Sequence, residues 1–145
     1  MISDRFVKRF VLLLIGIAGC FICALLLCPR SLTSYFNLTD APDAGDIILL
    51  YPTEEQKQVA LNNSPALQEL WTVVQNLKVH YAGDGSTFHS EGKYLYIISL
   101  RKNDIPAKHI TFDYISDGYI LIGERKYQVV SGKTNLMNTI KTILD

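Results

Sequence analysis

The densest set of groups able to do chemistry lies in residues 82–92, AGDGSTFHSEG, where Asp84, His89 and Glu91 sit within eight positions of one another. Two carboxylates and an imidazole are the right types to ligate a cation or to work as an acid–base pair. The spacing is unlike an EF-hand loop, which alternates acidic or amide residues up to an invariant glycine. Ser86 with His89 and Asp84 makes a hydrolase-like trio, but no G-x-S-x-G context surrounds it, and triad members are seldom this close in sequence. Gly83-Asp84-Gly85 does not open a helix, so it is no phosphate loop. The other two histidines, His80 and His109, have no HxH or HExxH partner. The bland reading of the segment, a solvated turn shaped by Asp, Ser and Gly, is preferred. The sequence therefore carries no expected catalytic residues, no metal ligands and no cofactor, and a non-enzyme is expected.

A second reactive group sits in a different setting. Cys20, Cys23 and Cys28 are the only cysteines, and all lie in an uncharged run over residues 10–28. Ile17-Ala18-Gly19-Cys20 resembles the bacterial lipobox, which implies diacylglycerol on Cys20 and removal of everything before it. The basic n-region and short apolar h-region have suitable proportions. Cys20 leads into FICALLLC rather than into a polar tether. As a helix, residues 10–28 measure about 28 Å, close to the hydrocarbon thickness of a bilayer. An uncleaved transmembrane helix is thus the first reading and a lipoprotein signal cleaved before Cys20 the second. Gly16, Cys20, Ala24 and Cys28 recur every four residues, the spacing at which small side chains let two membrane helices approach.

Charge orients this segment. Arg5, Lys8 and Arg9 precede the run, and after Arg30 the next basic residue is Lys57. The positive-inside rule then keeps residues 1–9 in the cytoplasm and exports the rest. From residue 31 onward ten Lys/Arg face thirteen Asp/Glu, net −3. A mildly acidic domain without a basic cluster is a poor nucleic-acid binder. It has no cysteine, so a disulfide framework is excluded there.

The remaining chain divides into a Pro/Ser/Thr/Asp-rich stretch, 29–45, read as a tether, and a domain, 46–145. Within the domain, 46–51 and 56–61 read as a hairpin. Ser64-Pro65 is a helix start, with Leu67, Leu70, Trp71, Val74 and Leu77 on one face to about residue 80. Residues 94–100, 109–115, 119–122 and 127–130 read as a meander turning at Asp117-Gly118. A closing helix, 134–144, takes Thr134 as its cap. The expected order is ββ-α-ββββ-α, an α+β domain with two amphipathic helices on one sheet face. Five tyrosines, Tyr94, Tyr96, Tyr114, Tyr119 and Tyr127, fall on the strands, where packing is their ordinary use.

The pieces IILLY, PALQELWTVVQNL, YLYIISL, HITFDYI, YILIGE, KYQVV and LMNTIKTIL together resemble small membrane-anchored or lipoprotein domains of unknown function from Gram-positive bacteria. The resemblance implies export and a bacterial source and assigns no catalytic residues. The functional expectation is a single-pass cell-membrane protein with an extracytoplasmic domain that binds an envelope protein or self-associates. A small envelope enzyme or metal-dependent protein using Asp84, His89 and Glu91 is the competing expectation.

Overall fold

A computed structural model describes residues 4–36, 38–51, 56–86, 92–102 and 108–145. The chain begins with α1 (Asp4–Leu27) and ends in an eight-stranded antiparallel sheet carrying two further helices, an α+β fold. The strands are β1 (Arg30–Ser31), β2 (Ala44–Tyr51), β3 (Lys57–Asn62), β4 (Lys78–Asp84), β5 (Leu95–Arg101), β6 (His109–Ile115), β7 (Tyr119–Ile122) and β8 (Arg125–Ser131). The helices α2 (Pro65–Asn76) and α3 (Lys133–Leu144) complete the domain. The sheet order is β1-β4-β8-β7-β6-β5-β2-β3.

Local chemistry explains most of these elements. Ser64 accepts a hydrogen bond from the Leu67 amide at 3.2 Å, and Pro65 opens α2 where its missing N–H is not needed. Leu67, Leu70, Trp71 and Val74 then enter the core at helical spacing. The β6–β7 turn places Gly118 at φ 99°, a conformation side chains resist, and its amide donates to Ile115 O at 2.8 Å. On β5 and β6 alternate residues, Tyr96, Ile98 and Leu100 with Ile110, Phe112 and Tyr114, face the helices and are buried.

Three expectations need correction. The helix expected to reach residue 80 stops at Asn76, because Leu77 is already extended (φ −67°, ψ 131°) and Lys78–Asp84 is a strand. Val79 faces the core there and pairs with Val129. Val and Tyr suit a pleated surface, and β8 supplies the partner that makes β4 a strand. At the last helix the cap is Gly132, in the left-handed region at φ 90°, rather than Thr134. A Cβ at Gly132 would stand 2.8 Å from Leu77 Cδ2, so the position is closed to side chains on both counts.

The third correction bears on function. Residues 29–45 are not a free tether. Arg30 and Ser31 pair with β4, the Leu32 amide donates to Leu77 O at 3.0 Å, and a 3-10 turn, Leu32–Tyr35, comes next. Leu32 and Leu38 are fully buried in the main core. Asp43 donates its amide to Arg101 O and accepts from the Asn63 amide, and Lys108 pairs with Asp40 at 3.1 Å. Apolar burial of two leucines outweighs the turn-forming bias of the Pro/Ser/Thr residues around them. Only Cys28 and Pro29 separate α1 from the sheet.

Candidate functional site

The sequence candidates come apart in the structure. Asp84 ends β4, exposed, and both carboxylate oxygens engage Ser86: Oδ1 accepts from the amide and Oδ2 from the hydroxyl, each at 2.9 Å. These bonds to the ionised form hold the Asp84 carboxyl below its ordinary value. This is a self-contained turn. His89 and Glu91 lie outside the described residues. His80 is half-buried on β4 and His109 starts β6, beyond β8 and β7 in the sheet. Among the described residues no three His, Cys, Asp or Glu side chains converge as a metal set.

Along α1 every side chain from Phe6 to Leu25 is exposed, and the helix is long and apolar enough to cross a membrane. Cys20, Cys23 and Cys28 are free thiols, exposed. Cys20 sits within the unbroken helix, and the space beside Gly16 is open. Ala24 O accepts from the Cys28 amide at 2.9 Å, which extends the small-residue row to the helix end.

One recess in the domain is not assembled by any local motif. Between the C-terminal end of α3 and the β2–β5 part of the sheet lies a cavity of about 590 Å³. Leu49, Tyr96, Met137 and Leu144 give it apolar walls, while Lys57 and Lys141 bring positive charge and Asp145 negative charge. Tyr94 and Tyr96 line it and begin a ladder of stacked rings that continues to the buried Tyr114. Tyr94 and Tyr96 lie 6.2 Å apart between centroids, and Tyr96 stands 6.2 Å from its cross-strand partner Tyr114. Offset rings at this separation form a rigid amphipathic surface. Burial pushes the Tyr114 hydroxyl up to about 12, with Tyr96 and Asp117 adding to the rise. That hydroxyl and Asp117 Oδ1 are buried with no hydrogen-bond partner among the described residues. Sequence reasoning missed Leu49, Lys57, Met137 and Lys141 as a group because they come from three distant elements. The alternating tyrosines were the one visible signal.

The opposite face of the sheet carries neither α2 nor α3. One cross-strand row there runs Gln58, Ile48, Ile97, Asp113, Leu121, Lys126. Asp113 is half-buried between two aliphatic neighbours, and desolvation raises its carboxyl above the ordinary value.

Comparison with family models, with characterised proteins and with solved structures returns no match to this chain.

Proposed function

We propose that the protein is a single-span membrane protein whose α+β domain, exported from the cytoplasm, is a binding module. The observation that carries this reading is the join between α1 and the sheet. A helix of bilayer length, with every side chain from Phe6 to Leu25 exposed, passes through only two residues into a short strand, and Leu32 just beyond that strand is core. Surface so apolar is costly in water and ordinary in lipid. The basic residues ahead of the apolar run support an inside N-terminus.

The tyrosine-lined cavity lies at the far end of the domain. β4 and β8 meet near the end of α1 at Asp84 and Arg125, and the cavity gathers about Tyr94 and Ser116 at the other strand ends. By strand spacing this is about 14 Å across and about 10 Å along the sheet. A ligand with a flat apolar face, such as a sugar ring or an aromatic side chain, stacks on Tyr94, with Lys57 and Lys141 to meet an anionic group on it and the Asp145 carboxylate to accept from its hydroxyls.

Cys20 keeps a second reading in play, since its exposed thiol comes directly after Ile-Ala-Gly. Lipidation there would remove the first part of α1 and anchor the same domain by acyl chains.

The test is made in membranes of a bacterial host. The span predicts resistance to alkaline carbonate extraction, with the domain digested by protease added outside intact spheroplasts. Release by carbonate, or full protection of the domain, contradicts it. Met137 reports on the cavity, because the only other methionine is Met1. Anionic sugars and aromatic acids are expected to shift the Met137 methyl resonance in the full-length protein, and to lose that effect in Tyr94→Ala.

A further inference from the structure

A second recess, of about 360 Å³, lies where α1 meets the domain and is lined by Leu25, Arg30, Tyr35, Tyr81, Arg125 and Tyr127. We propose that it binds the phosphate of an anionic phospholipid headgroup in the leaflet from which α1 emerges. The inference rests on α1 being a membrane span. Leu25 lies in the last turn of the apolar run, which ends at Cys28, and lines the recess together with Arg30 just beyond that end, so the recess stands where the span gives way to headgroups. Tyr35 and Tyr81 flank the Tyr127 ring, with centroids at 4.8 and 5.9 Å. Tyr81 is 46% exposed. Such rings are favoured at the bilayer interface, with the apolar body inward and the hydroxyl wet.

Two guanidinium groups face the same space. Arg30 uses Nη2 to cap Leu25 O at 3.1 Å, which leaves further N–H donors on its planar fork. Arg125 has no acidic partner among the described residues. Asp84 lies opposite it in register, but that carboxylate is turned to Ser86. With Asp84 engaged by Ser86, the two arginine forks on this recess match a phosphodiester, which accepts two parallel bonds from a fork. The attraction is local, because the domain as a whole is net negative.

The full-length protein is reconstituted in micelles containing equal phosphatidylglycerol and phosphatidylcholine, and bound lipid is read by native mass spectrometry. Wild type is expected to retain phosphatidylglycerol preferentially, and inorganic phosphate at millimolar levels is not expected to displace it. Arg125→Gln, a change at an exposed position, is expected to cut retention about tenfold, as losing one charge-assisted pair would. Arg125→Lys should restore part of it, and Tyr81→Ala should lower it with the sheet intact by circular dichroism. Equal retention of both lipids by wild type, or unchanged retention by Arg125→Gln, overturns the site while leaving the span intact. Carbonate release of the wild-type protein overturns the span instead.

Discussion

Arg30 donates from its guanidinium to the carbonyl of Leu25 at 3.1 Å, so the first residue of the sheet also closes the apolar helix. A carbonyl at a helix C-terminus lacks an internal partner and carries partial negative charge, and the cation answers both. The guanidinium thus ties the last turn of α1 to β1, and the Ser31 hydroxyl, donating to Gln75 O at 3.3 Å, ties β1 to α2.

If residues 29–45 are structural, truncating Leu32 carries a core-sized penalty. Leu32 is fully buried and touches α2 through its turn. Leu32→Ala is expected to destabilise the domain by roughly 2–5 kcal/mol, measured by thermal melting of the full chain in detergent. A change under about 0.5 kcal/mol, the scale of a surface substitution, would restore the tether reading.

Ser64→Ala tests the start of α2. The lost side-chain bond to the Leu67 amide should cost about 1 kcal/mol, and Ser64→Asp should recover most of it. Chemical denaturation of the full chain in detergent measures both changes.

Tyr114 predicts an alkaline limit. Its phenol titrates at 10.0 in an unfolded chain and at about 12 when buried in the fold. Between those values the unfolded state has lost a proton that the folded state keeps. The contribution is whole below pH 10 and declines as pH rises toward 12. Tyr114→Phe should flatten that part of the stability profile by an amount on the order of 2 kcal/mol. At neutral pH it should cost under about 1 kcal/mol, because the hydroxyl has no partner to lose among the described residues.

Asp113 works in the same direction at acid pH. Its folded-state affinity for a proton is raised by burial between Ile97 and Leu121, so the neutral form favours folding. Stability from this group is greatest below the ordinary carboxyl value of 3.8 and falls as pH climbs through the raised one. Asp113→Asn is expected to melt higher than wild type at pH 7, with the gap closing at pH 3. A lower melting temperature at pH 7 would mean that the carboxylate has a stabilising partner.

The helices and the meander were legible because their signals are local. Ser64-Pro65 with Leu67, Leu70, Trp71 and Val74 specifies α2 within a few turns, and Asp117-Gly118 specifies the β6–β7 turn. β4 was not legible, since Val79 and Tyr81 come after α2 with no breaker and owe their strand form to β8, more than forty residues on. Leu32 was hidden by its Pro/Ser/Thr surroundings for the same reason: its partner, Leu77, is distant. The cavity and the arginine recess are likewise made by tertiary juxtaposition. Lys57 meets Lys141, and Arg30 meets Arg125, only after the sheet has closed.

The central claim is that α1 is retained as one continuous span joined to the sheet. The intact mass of the protein extracted from membranes tests it most directly. A retained span predicts that the residues ahead of Cys20 stay attached, with residues 1–145 contributing 16.3 kDa. A shorter chain beginning at a diacylated Cys20 would contradict it and place the anchor in lipid.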